Sequence, residues 1–164
     1  MVQMRPVRQT DERFLFDLYA STRQEEMSAW GWDDFMQQNF LTMQWNAQRM
    51  SYEAQFPDAH HHVLMVNEQP VGRLLVNQTP EELHIVDIAL LPEARNRGVG
   101  SAVLQELQAQ ARSLGVPLKL RVLHTNPARR LYERLGFRVV HEDAMSRHME
   151  WQETFSLDTT ISER

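Results

Sequence analysis

Between Leu90 and Ser101 the chain reads Leu-Leu-Pro-Glu-Ala-Arg-Asn-Arg-Gly-Val-Gly-Ser, with Arg95, Arg97, Gly98 and Gly100 set close together. Two glycines let a ligand approach the backbone, and a helix starting here presents unpaired amides at the positive end of its dipole. With Arg95 and Arg97 adding charge, the chemistry expected is capture of a diphosphate. A dinucleotide fingerprint wants a third small residue at position 103, which is Val103, and no GxxxxGK[ST] sequence occurs. Nicotinamide and nucleoside-triphosphate readings are therefore disfavoured, while a merely tight strand-to-helix turn remains an alternative.

The elements around this loop follow from periodicity. Leu83–Leu91 reads as a strand, and Val99, Val103, Leu107, Ala111 and Leu114 share one face of a helix that Gly115 stops. Leu118–Leu123 reads as the next strand, so strand, helix and strand form a βαβ unit with parallel strands and a right-handed crossover. Asn126 is expected to cap a short helix ending at Gly136, followed by closing strands at Phe137–Val140 and Arg147–Trp151. Upstream, residues 3–8 suggest a first strand and Thr10-Asp11-Glu12 a helix ending near Ser21. A second helix has Met36, Phe40, Met43, Ala47 and Met50 as its apolar face after Asp33-Asp34. Val63–Val66 and Val71–Val76 read as a hairpin around a turn at Asn67–Pro70.

Composition narrows the function. The 164 residues with 42% hydrophobic content suit a single domain, taken as 1–153, with 154–164 as a loose C-terminal tail. A net charge of −5 argues against nucleic acid as a partner. The absence of cysteine excludes disulfides, thiolate metal sites and a cysteine nucleophile. The N-terminus has no apolar signal core and no apolar run approaches the roughly 20 residues that span a bilayer, so the expectation is a soluble cytoplasmic protein without a membrane partner.

Arg95-x-x-Gly98-x-Gly100, after a strand ending in Pro92, resembles the pyrophosphate motif of the GNAT (GCN5-related) N-acetyltransferase superfamily. Asn126-Pro127-Ala128-Arg129-Arg130-Leu131-Tyr132-Glu133-Arg134-Leu135-Gly136-Phe137 resembles that family's next block, in the expected order. Together they cover about residues 82–140. Asn96 departs from the commoner small or basic residue, but lies ahead of the binding amides. The resemblance implies an α/β (α+β) single domain: a twisted, V-splayed mixed sheet of six to seven strands flanked by about four helices. Its cleft would open between Leu83–Leu91 and Leu118–Leu123. It also implies acetyl-CoA as co-substrate. Backbone groups at Ile88, Ala89 and Leu90 would pair with the pantetheine, and amides of Arg97, Gly98, Val99, Gly100 and Ser101 would hold the diphosphate, with Arg95 and Asn126 completing the coenzyme set.

Amine attack on a thioester needs a neutral amine, a polarised carbonyl and a protonated leaving sulfur. Tyr132 resembles the family's acid, and a phenol of pKa about 10 is nearly balanced against a thiol of about 8.5. For the base, His84 lies where relatives often place one, with Glu82 and Asp87 as rivals and His124 a weaker candidate. His60-His61-His62 alternates between strand faces without further ligand spacing, so no metal is assigned. The segment Glu25–Trp32, with Trp30, Trp32 and the carboxylates Glu25 and Glu26, is an acceptor-site candidate whose alternative is simple core cover.

These readings converge on an acetyltransferase moving an acetyl group from acetyl-CoA to a primary amine of a small molecule, in a ternary complex. The alternatives are acetylation of a protein N-terminus or lysine, and a non-catalytic acyl-CoA-binding sensor. A homodimer is compatible with the sequence.

Overall fold

The computed structural model describes residues 1–154, and the expectation of a loose tail concerns residues almost entirely outside them. Seven strands form one mixed sheet in the order β1-β2-β3-β4-β5-β7-β6. They are β1 (Val2–Pro6), β2 (His60–Val66), β3 (Gln69–Gln78), β4 (Leu83–Leu90), β5 (Leu118–Leu123), β6 (Arg138–Glu142) and β7 (Ser146–Trp151). Among the described residues they are accompanied by the helices α1 (Glu12–Ala29), α2 (Asp34–Gln55), α3 (Val99–Leu114) and α4 (Arg129–Arg134). Among the described residues, no helix is long and apolar enough to cross a membrane.

The chain forms two compact units, passing from one to the other within β3 and again within β4. The first comprises 1–74 and 88–95. Its helical core joins Leu15, Tyr19 and Met27 of α1 to Leu41 and Trp45 of α2. Helix α1 outruns the predicted stop at Ser21 because no breaker lies before Gly31, whose φ of +70° ends the helical run. The buried face of α2 also differs from the predicted one. Leu41 and Trp45 point inward, whereas Met36, Met43 and Met50 are exposed.

Glutamines explain that difference: Gln37, Gln44 and Gln48 share the inward stripe, so its hydropathy is masked. Gln44 accepts from the Tyr19 hydroxyl at 3.3 Å, and Gln48 accepts from the buried Arg73 guanidinium at 3.0 Å. These bonds offset the desolvation that burying the amides costs. At the other end of the unit, Arg5 grips the buried Asp11 with two hydrogen bonds of 2.8 and 2.9 Å. That grip lowers the Asp11 carboxyl to about 2. The β2–β3 turn is tighter than predicted, with positive φ at Asn67 and Glu68 and Pro70 already inside β3.

The second unit comprises 75–87 and the residues from 96 onward. Val103, Leu104, Leu107 and Ala111 bury one face of α3, and Leu118, Leu120 and Val122 one face of β5. Gly115 closes α3 with φ +69°, as its position suggests. The parallel register pairs Leu83, His84 and Ile85 with Leu118, Lys119 and Leu120. Beyond β5 the chain returns through α4, which begins at Arg129 with Ala128, not the expected Asn126, as its N-cap.

Candidate active site

The loop before α3 is shaped by two left-handed residues, Asn96 at φ +61° and Gly98 at φ +81°. Asparagine is among the few side chains that tolerate this region, which accounts for its presence where the sequence departs from the commoner pattern. Gly98 is the N-cap of α3, makes no side-chain cap, and has open space where a Cβ would stand. The first closed helical bond runs from the Ala102 amide to the Gly98 carbonyl at 3.0 Å. Helix geometry therefore leaves the amides of Val99, Gly100 and Ser101 without intrahelical acceptors, and no acidic residue stands in the first turn to compete for them. This cradle suits a diphosphate.

At Gly100 a Cβ would meet only Leu131 Cδ2, at 3.4 Å. Arg97 is exposed, whereas Val99 is buried and anchors the first turn. Asn126 binds the amide of Ala128 through Oδ1 at 2.9 Å, so its side chain holds the turn into α4 instead of capping a longer helix. Arg129 is engaged by Glu133 at 2.6 Å.

In the first unit, β4 ends at Leu90 and a 3-10 turn at Pro92–Ala94 follows. Arg95 turns its side chain back, and Nε donates to the Leu90 carbonyl at 3.2 Å. Residues Ile88, Ala89 and Leu90 are half-buried. Here the structure shows a residue that motif reading passed over. At Gly72 on β3, a Cβ would overlap the Ala89 carbonyl oxygen and stand 2.7 Å from Leu90 Cδ2. A lone glycine in a strand carries no motif, and its one sequence signal is the usual association with close backbone approach.

Tyr132, the fourth residue of α4, is buried and packs edge-on against Phe137 at 5.7 Å. Burial, with the nearby Asp87 charge adding to it, pushes its hydroxyl up to about 12. The phenol is therefore fully protonated at neutral pH, and a stronger proton holder than the free side chain on which the near-balance with a thiol was reckoned.

His84 has different company. It lies opposite Lys119 on β5, which lies opposite Glu150 on β7. Glu82 pairs with Lys119 at 3.7 Å. Burial lowers the His84 pKa below its usual value; Glu82 opposes the shift, while Lys119 and His148 add to it. The ring is thus neutral near pH 7, the form a base requires. The Asp87 charge acts on Tyr132, and Glu82, Lys119 and His148 act on His84.

Of the remaining candidates, His124 is committed to structure. Its Nε2 meets the Asp143 carbonyl at 2.8 Å and its amide donates to the Met145 carbonyl at 2.9 Å. Trp30, Trp32 and Phe40 pack on one another at centroid distances of 5.1 to 5.6 Å, and Trp32 and Phe40 rest on the first unit's core. Glu26 lies 3.6 Å from Arg23.

A mixed sheet in this order, with a glycine-rich turn feeding α3, defines the class of acyl-CoA N-acyltransferase folds. The sequence profile of the acetyltransferase (GNAT) family matches residues 19–137, and the chain belongs to that family. An uncharacterized N-acetyltransferase of Bacillus subtilis, YycN, is 39% identical over 87 residues, which are 48% of this chain and 56% of that protein. The [ribosomal protein bS18]-alanine N-acetyltransferase of Haemophilus influenzae is 36% identical over 78 residues, 47% of this chain and 53% of that enzyme. The matches thus span little more than half the length of these curated relatives. Among solved structures, PaiA N-acetyltransferase of Thermoplasma acidophilum, in complex with coenzyme A, aligns with a TM-score of 0.69. At 14% identity, over 93% of this chain and 99% of that one, it supports the fold alone.

Proposed function

We propose that this protein transfers an acetyl group from acetyl-CoA directly to a primary amine. The observation that carries the reading is the α3 entry, where Asn96 and Gly98 turn the chain so that the amides of Val99, Gly100 and Ser101 lack intrahelical acceptors. Those amides take the diphosphate, with Arg97 and Asn126 as further coenzyme contacts. Backbone groups at Ile88, Ala89 and Leu90 pair with the pantetheine, and Arg95 steadies that strand end from the Leu90 carbonyl.

In the transfer, the amine nitrogen bonds to the thioester carbon and the carbon–sulfur bond breaks. The amine loses one proton and the sulfur gains one. An alkylammonium of pKa about 10 first gives one proton to the neutral His84, directly or through water, which passes it to solvent; the second leaves the nitrogen by the same route as the amide forms, and solvent returns a proton to the Tyr132 phenolate. Tyr132 donates to the departing sulfur, with its protonated state at neutral pH secured by burial. Glu82 supports His84 electrostatically and is the alternative base.

For the acceptor, a small-molecule amine is the first reading. The α-amine of a peptide is the second, favoured by the similarity to an enzyme named for acetylating an alanine of a ribosomal protein. The mutual packing of Trp30, Trp32 and Phe40 favours core cover over an acceptor role for the Glu25–Trp32 segment. Release of free thiol from acetyl-CoA, followed across a panel of small amines and peptides, tests the proposal. Amine-dependent release is expected with at least one class, and silence across the panel despite coenzyme binding would favour a sensor module.

A further inference from the structure

The β6–β7 hairpin carries three side chains capable of ligating a metal, none of which serves as acid or base in the proposed transfer. A β-bulge between Val139 and His141 shifts the register by one residue, pairing Val139 with Met149 but His141 with His148. With regular pairing, Val140 would oppose His148 and His141 would oppose Arg147. The bulge instead sets the two imidazoles directly across from each other, at 5.3 Å between centroids.

Asp143 begins the turn that joins these strands, and its carboxylate is held in place before any ligand arrives. Its Oδ1 accepts from the amides of Met145 and Ser146 at 2.9 and 2.8 Å, and the buried Ser146 hydroxyl reaches both oxygens at 3.1 Å. His124 fixes the same turn from the end of β5. Asp143 Oδ2 then lies 3.4 Å from His148 Nε2.

We propose that His141, Asp143 and His148 form a binding site for one divalent first-row transition-metal ion, built by the bulge that sets His141 opposite His148. The ligand atoms lie within 4.8 Å of one another. Metal bonds of about 2.0–2.2 Å need them roughly 3.3 Å apart, a gap that small rotations of the exposed His141 ring close. Two imidazoles and one carboxylate favour zinc, nickel or copper over magnesium or calcium, and leave a position for water. A bound ion would tie β6, β7 and their turn together.

The test is calorimetric titration of Zn2+ alone into the tag-free protein in a weakly coordinating buffer, with Co2+ absorption as a second readout. One ion per chain is expected, with affinity reduced at least tenfold by His141→Ala or His148→Gln and unchanged by His60→Ala in the other histidine cluster. Because the His141 side chain is exposed, its alanine variant should keep the wild-type circular dichroism spectrum; His148→Gln provides the second reading should it misfold. Absence of saturable binding, wild-type affinity in the hairpin variants, or loss only in His60→Ala would overturn the proposal.

Discussion

Gly72 lies so close to Ala89 that the carbonyl oxygen of Ala89 occupies the place of a side chain at position 72. The same stretch is joined by a 2.8 Å bond from the Leu91 amide to the Val71 carbonyl. Gly72 therefore sets the position of the strand end assigned to the pantetheine. Gly72→Ala should push Ala89 and Leu90 away, costing about 1–3 kcal/mol of stability by overpacking. Acetyl-CoA affinity should fall by about tenfold, equivalent to about 1.4 kcal/mol. Chemical denaturation and calorimetry measure the two effects separately, and an unchanged Kd would release the strand end from its assigned role.

His84 makes a pH prediction whose sign follows from its surroundings. Burial lowers its pKa below the usual 6.5, so the neutral base persists to more acidic pH than a free imidazole. The profile of kcat should accordingly be flat near neutrality and fall only as pH drops below about 6.5. His84→Ala should lower kcat by about 10²-fold and abolish that acidic limb, leaving coenzyme affinity intact. A wild-type profile in the variant would move the base to Glu82, Asp87 or water.

For Tyr132, the phenylalanine variant keeps the ring and its edge contact with Phe137 while removing only the donor. Because the hydroxyl is held at about 12, deprotonation of Tyr132 should leave no basic limb in kcat below about pH 10. Tyr132→Phe should preserve stability and acetyl-CoA affinity but reduce kcat by about 10²- to 10⁴-fold, the usual worth of a positioned acid. A loss below about threefold with a good acceptor would make Tyr132 structural and water the proton source.

The second half of the chain was the more legible in sequence. β5 occupies the expected Leu118–Leu123, and α3 buries Val99, Val103, Leu107 and Ala111 of its predicted stripe and stops at the expected glycine, because regular spacing and terminal glycines are local signals, although Leu114 at its end is exposed. The same rules misread α2. Methionines seven residues apart looked like a core face, while the actual inward stripe interleaves Leu41 and Trp45 with glutamines whose burial is secured by distant partners such as Tyr19 and Arg73. Gly72 and the bulge that aligns His141 with His148 escaped notice for a related reason, since both depend on what lies across the sheet. The loop Arg95–Ser101 was visible as a motif, but the left-handed turn of Asn96 emerges only in three dimensions.

Equilibrium titration of acetyl-CoA into wild type and Ser101→Glu tests the central claim most directly. A carboxylate in the first turn of α3 complements the helix dipole and competes for the same amides, so the fold should be retained or slightly stabilised, by about 0.3–1 kcal/mol. Acetyl-CoA should saturate the wild type, raising its stability by about 2.7 kcal/mol at a hundredfold excess over Kd, and should bind the variant at least about tenfold more weakly. Equal affinity in the two folded proteins, or no saturable binding to the wild type, would contradict the assignment of this helix entry as the coenzyme site.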